Sequence, residues 1–146
     1  MNLGYVRVAT YTPEIKVGDV EYNLTELKKG IDLGLKKEVQ LLAFPELCLT
    51  GYTAGDLFYQ KTLLNAVENA LIKLANYTKD KNILTFVGAP IQKDGLIYNC
   101  SVAVFNGEII GVVPKSYLPD HCAFNEKRHF APANDALSSV VFNIGD

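Results

Sequence analysis

Cysteine, histidine and charge of one sign are all scarce in this sequence, and each scarcity removes a class of function. The three cysteines, Cys48, Cys100 and Cys122, form no CxxC pair and no dense pattern. That excludes a disulfide-stapled secreted scaffold and is read as reduced thiols. Cys122, His121 and His129 lack the paired spacing of a structural zinc site, so no metal is expected. A formal net charge of −2 offers no basic face to nucleic acid or to an anionic bilayer, and neither is an expected partner. No run approaches the roughly 20 apolar residues that span a membrane. The first residues, MNLGYVRVATYTPE, have neither the cationic start nor the apolar stretch of a secretory signal. A cytoplasmic location is the expectation. A GxxxxGK[ST] phosphate loop and an SGGxDS-type pyrophosphate loop are both missing, so no nucleotide cofactor is expected in this chain.

What is present fits one α/β unit. With 49% hydrophobic and 21% charged residues, the 146-residue chain can bury a continuous core, and it shows neither a repeat nor a linker. Gly4 to Thr10 reads as a first strand. From Asp19, an N-cap, the apolar positions Val20, Leu24, Leu27, Ile31 and Leu35 recur at helical spacing. The short apolar run Val39 to Phe44 reads as a second, buried strand ending at Pro45, which completes a βαβ unit. A polar, glycine-rich loop follows over Glu46 to Asp56. A second helix runs from about Tyr59 to Lys79, and Ile83 to Ala89 is a third strand. Lys93-Asp94-Gly95 and Asn106-Gly107 are hairpin signals that bracket a strand from Leu96 to Phe105, with Glu108 to Val113 pairing back.

Pro114 to about Leu137 is irregular, and a last strand is expected at Val140 to Ile144. The pattern predicts a mixed sheet covered by two helices on one face. Its other face would then leave Val102, Val104, Ile110 and Val112 in need of partners.

Two charged residues stand just past strand ends. They are Glu46 in AFPELCLTGY and Lys115 in GVVPKSYLP. In open α/β sheets ligands bind beyond the C-terminal ends of strands, so the two are candidates for one shared site. A carboxylate there can act as a base, and a lysine beside it can stabilise a developing oxyanion. The plainer alternative is that each is a solvated loop charge.

The surrounding sequence favours the shared site. FPELCLTGY resembles the segment that carries the catalytic glutamate of nitrilase-superfamily carbon–nitrogen hydrolases, and PKSYLP resembles the segment that carries their lysine. Within that superfamily LTGYTAGDLF and EKRHFAP are most similar to the glutaminase domains of glutamine-dependent NAD synthetases. The resemblance covers essentially the whole chain. It implies part of a nitrilase-type α-β-β-α sandwich with a mixed sheet, and a Glu–Lys–Cys triad. Glu46 would be the general base, Lys115 would hold the oxyanion, and a cysteine would attack the side-chain amide of glutamine.

In the family that cysteine follows a further strand beyond the lysine segment. Residues 1–146 are therefore read as the N-terminal part of one such domain, without its nucleophile and inactive alone. The implied partners are glutamine, a C-terminal synthetase domain that would use ATP and magnesium, and a further copy of the chain covering the open sheet face.

By the same resemblance Tyr52, His121 and Phe124 line the substrate pocket. His121 stands where the family commonly has a tyrosine. Core packing is the alternative for these aromatics. Glu126 is a second pocket carboxylate, or else the ion partner of Lys127 or Arg128. Cys48 and Cys100 sit in apolar surroundings and read as core residues. The adjacent pair His121-Cys122 is disfavoured as a catalytic dyad, because neighbouring side chains point apart in an extended segment. Two other readings stay open: a stand-alone nitrilase-type amidase on another small amide, and a non-catalytic binding or assembly module.

Overall fold

The computed structural model describes residues 4–133. Two helical crossovers between parallel strands, then two tight hairpins, set its architecture. Strand β1 (Val8–Thr10) is followed by α1 (Val20–Lys36), β2 (Leu41–Ala43), a 3₁₀ segment (Tyr52–Tyr59), α2 (Lys61–Tyr77), β3 (Leu84–Lys93), β4 (Leu96–Phe105) and β5 (Glu108–Pro114). The spatial order is β1-β2-β3-β4-β5. β1, β2 and β3 pair in parallel, while β3–β4 and β4–β5 are antiparallel. This is the mixed sheet that the sequence predicts. Successive right-handed crossovers that step the same way along a sheet put both helices on one face, and α1 and α2 do pack on each other.

Helix α1 forms where its capping and spacing require. The Asp19 carboxylate accepts from the Tyr22 amide at 3.1 Å, which satisfies one of the free N–H groups of the first turn. Val20, Leu24, Leu27 and Ile31 are all buried. The helix lies close to the strands at Gly30, where an added Cβ would sit 2.6 Å from Tyr11 Cδ1 and 2.9 Å from Phe44 Cε1. Helix α2 buries Leu63, Leu64, Val67, Leu71 and Leu74 and lies across β3, β4 and β5. Both hairpins turn through left-handed residues as their sequences predict: Asp94-Gly95 at φ 50° and 80°, and Asn106-Gly107 at φ 47° and 93°.

The structure corrects three expectations. Strand β1 is three residues long, not seven, because β2, its partner, is equally short and β1 lies at the sheet edge; Tyr5 and Val6 are exposed. Val102 and Val104 are not on the open face but fully buried beneath the helices. Their partners in β5, Val112 and Ile109, are spaced by three because Ile110 is an extra residue: Ala103 pairs with Gly111, and Val104 with Ile109. Val112 and Ile109 therefore both pack against the core, and Ile110 is left 55% exposed. Finally, the loop expected over Glu46 to Asp56 ends in the 3₁₀ segment. The strand expected at Val140 to Ile144 lies outside the described residues.

Candidate active site

Because two antiparallel steps restore the original direction, β5 runs parallel to β2, and both strands end on the same side of the sheet. Glu46 follows β2 and Lys115 follows β5. Three strand spacings separate those ends, about 14 Å at roughly 4.8 Å each. Two features close the gap: the chain after β2 folds over β3, and the long Lys115 side chain reaches across β4.

The fold over β3 is made at Gly88. A Cβ there would lie 2.3 Å from the Leu47 nitrogen, 2.5 Å from the Pro45 oxygen and 2.7 Å from the Glu46 carbonyl carbon, all of them backbone atoms. Only glycine permits that approach. Below the turn, Leu47, Cys48 and Leu49 plug into the core, and Leu47 takes a left-handed φ of 51°. The Leu47 carbonyl accepts from Thr50 and Gly51 at 3.0 and 2.7 Å. Glu46, just ahead of this plug, is held at the rim.

Lys115 extends the ladder by one bond, its amide donating to the Asn99 carbonyl at 2.8 Å. Its ammonium donates to both oxygens of Glu46, at 2.9 and 3.0 Å, and to Glu126 Oε1 at 3.1 Å. Asn99 donates from Nδ2 to Glu46 Oε2 at 3.2 Å. Tyr52 donates its hydroxyl proton to Glu126 Oε1 at 2.7 Å. The Glu126 side chain is only 4% exposed, and its Oε2 has no hydrogen-bond partner among the described residues. It begins a 3₁₀ turn, Glu126–Arg128. A cavity of about 270 Å³ opens beside this cluster, lined by Phe44, Glu46, Asn99, Ser101, Val113 and Lys115 among others.

The electrostatics follow from this geometry. Burial by itself pushes the Lys115 ammonium down, but the bonds to Glu46 and Glu126 outweigh it and hold the group above the ordinary lysine value. Lys115 therefore stays cationic at neutral pH and serves as a donor, not as a base. Burial, and then the bond to Glu126, raise Tyr52, so its hydroxyl keeps its proton.

The structure thus brings Glu46, Lys115, Glu126 and Tyr52 into one hydrogen-bonded cluster. Phe124 meets Tyr52 edge-on at 6.2 Å, and His121 meets Phe124 at 5.8 Å. Core packing does not describe these rings: Tyr52 is 37% exposed and Phe124 45%, and His121 is at the surface. Nor is Glu126 the partner of its sequence neighbours. Lys127 lies 3.8 Å from Asp120, and Arg128 binds Asp56. Cys48 and Cys100 are core residues whose thiols burial pushes up to about 12, so neither supplies a thiolate at neutral pH. Cys122 is exposed.

The sequence reading missed Gly88 and Asn99. A lone glycine inside an apolar strand, and a lone amide side chain in the next strand, were the available signals. Among the described residues no group of three or more His, Cys, Asp or Glu is placed to hold a metal ion. No helix among them is long and apolar enough to cross a membrane.

Comparison with known proteins places this geometry in context. The glutamine-dependent NAD(+) synthetase of Mycobacterium tuberculosis is 39% identical over 137 residues, covering 94% of this chain and 20% of that protein. The one from Mycobacterium leprae is 35% identical over 143 residues, covering 98% and 21%. The chain thus spans about a fifth of the length of these curated relatives. Among solved structures, the glutamine-dependent NAD(+) synthetase from Cytophaga hutchinsonii superposes with a TM-score of 0.87 at 25% identity, over 94% of this chain and 24% of that one. An amidase from Nesterenkonia sp. shares the fold, with a TM-score of 0.76 at 22% identity, over 87% and 48%. The model of the family described as Carbon-nitrogen hydrolase matches residues 7–145. A mixed α/β sheet that ends in this carboxylate–lysine cluster, and a match over nearly every residue, mean that the chain belongs to the carbon-nitrogen hydrolase family.

Proposed function

We propose that this chain forms the first part of a glutamine amidohydrolase domain within a longer protein. That domain would supply ammonia to an ATP- and magnesium-dependent ligase module, which amidates deamido-NAD to NAD. The observation that carries the reading is the Lys115 ammonium held 2.9 and 3.0 Å from the two oxygens of Glu46, in a chain 39% identical to a glutamine-dependent NAD(+) synthetase.

The chemistry assigns each group one task. A cysteine thiol beyond Lys115 in the sequence attacks the side-chain amide carbon of glutamine, and Glu46 takes the thiol proton. The carbonyl oxygen becomes an oxyanion, stabilised by the Lys115 ammonium. As the C–N bond breaks, Glu46 returns its proton to the departing nitrogen, which leaves as ammonia. Water then attacks the thioester, again losing its proton to Glu46, and glutamate and the free thiol result. Cys48 and Cys100 are buried, and Cys122 lies in the loop beyond Lys115 without a place in this scheme. Tyr52, His121 and Phe124 form the aromatic side of the glutamine pocket, and Glu126 is its buried carboxylate. The assembled enzyme works in the cytoplasm as an oligomer.

The test is ammonia release from glutamine by the protein that carries the complete domain. Glu46→Gln and Lys115→Met should each lower kcat by about 10²-fold or more. The 146-residue chain alone should release no ammonia above background. Full turnover in Glu46→Gln would refute the assignment. Turnover of small aliphatic amides but not glutamine would replace it with a stand-alone amidase.

A further inference from the structure

Two arms of the site are tied together by contacts that the proposed chemistry does not use. The arm after Glu46 runs through the 3₁₀ segment Tyr52–Tyr59, and the arm after Lys115 ends in the turn Glu126–Arg128. At one end Tyr52 donates to Glu126 at 2.7 Å. At the other, Arg128 Nη2 donates to both Asp56 carboxylate oxygens, at 2.9 and 3.0 Å, and the Tyr59 hydroxyl donates to the Arg128 carbonyl.

The ion pair contributes little as a source of stability. Its side chains are 56% and 68% exposed, so water screens their attraction. Its geometry says more. Arg128 lies two residues beyond Glu126 in the same short turn, so any shift of Arg128 is carried into Glu126. On the other side the 3₁₀ segment is interrupted, with non-helical backbone at Thr53 and at Gly55 (φ 57°). The segment's own hydrogen bonds therefore do not fix Asp56 relative to Tyr52, and a guanidinium bound to both carboxylate oxygens constrains orientation.

We infer that Asp56 and Arg128 are positioning residues whose contact holds the Glu126 turn against Tyr52, so that the Glu126 carboxylate meets the Lys115 ammonium. The inference rests on the proposed function only in calling the result an active site. Neither residue touches Lys115 or Glu46; they act through Glu126.

The Tyr52 phenol reports the contact, because burial and Glu126 both raise it. The experiment is an NMR titration of the 146-residue chain with ring-labelled tyrosine, with Tyr52→Phe used to assign the signal. In Arg128→Ala, Tyr52 should titrate at lower pH than in the unsubstituted chain, moving towards the ordinary tyrosine value of about 10. Removing a nearby cation would by itself move a phenol the other way, so the direction separates lost positioning from lost charge. Arg128→Lys keeps the charge but carries it on a more flexible stem without the rigid guanidinium plane, and should shift Tyr52 in the same downward direction by less. The reversed pair, Asp56→Arg with Arg128→Asp, should restore it. An unmoved or raised Tyr52 in Arg128→Ala overturns the inference; if that variant does not fold, Arg128→Lys decides by the same criterion. A downward shift here, together with full turnover in Glu46→Gln of the complete domain, would keep the positioning role and remove the hydrolase reading.

Discussion

Gly88→Ala tests how the two ends of the site are brought together. The new methyl would lie 2.3 Å from the Leu47 nitrogen, where ordinary contact begins at 3.4 Å. The obstructing atoms are the backbone of Pro45, Glu46 and Leu47, so no side-chain rotation relieves the overlap, and the turn must lift by about 1 Å. Overpacking of this kind costs about 1–3 kcal/mol. In a chain of this size that lowers Tm by roughly 2–4 °C per kcal/mol.

The lift also moves Glu46 away from Lys115, whose bonds of 2.9 and 3.0 Å have little slack. A displacement of that size costs about 10²-fold in turnover when it falls on a reacting group. The assay has two parts: thermal unfolding by circular dichroism, and an NMR titration of the Lys115 ammonium in the folded chain. Gly88→Ala should melt lower, and Lys115 should titrate at lower pH as Glu46 retreats. An unchanged melting temperature with an unchanged Lys115 titration would refute the claim that this close approach sets the site.

Further measurements bear on the same structure. Lys115 and Tyr52 are both raised in the folded state, so the stability they contribute is present below their unfolded values and lost as pH rises through the folded ones. Urea unfolding should therefore show the chain weakening above about pH 10, and Lys115→Met should flatten that dependence; a wild-type profile no steeper than the variant's would count against it. A thiol reagent at neutral pH should label Cys122 quickly and Cys48 and Cys100 only after denaturation; rapid labelling of native Cys122→Ser would contradict their burial. Among the described residues the sheet face away from the helices leaves Val8, Ile110 and Val113 exposed, so the chain should self-associate at micromolar concentration, and Ile110→Glu with Val113→Lys should weaken that. A compact wild-type monomer in sedimentation, with no dye binding, would show the face to be covered.

Much of this fold is legible in the sequence because local chemistry and global topology agree. Asp19 caps α1 where the apolar period starts, and the Asp94-Gly95 and Asn106-Gly107 turns bound β4 at the residues that they mark. Glu46 and Lys115 stand out as charges at strand ends, and parallel strand direction brings them to one side. Less legible are features that depend on contact between distant segments. Nothing local says that Gly88 must admit the distant turn at Pro45 to Leu47, or that Glu126 prefers Lys115 and Tyr52 to the adjacent Lys127 and Arg128. Strict alternation also places Ile110 on the same face as Val102, Val104 and Val112, since an inserted residue leaves no trace in a count of apolar positions.

That inserted residue decides which side of the sheet the lysine serves. Glu108 pairs with Phe105, and Lys115 bonds opposite Asn99; Phe105 and Asn99, an even number of residues apart on β4, share the site-side face. Counted by twos from Glu108 without interruption, Lys115 would land on the opposite face, under the helices and away from Glu46. Ile110 resets the phase, so the orientation of the charge is chosen five residues before it. The tolerance of this strand is therefore inverted. Deleting Ile110 leaves a regular ladder with Lys115 still opposite Asn99, whereas a change that keeps the residue count but straightens the strand turns the ammonium away from both carboxylates.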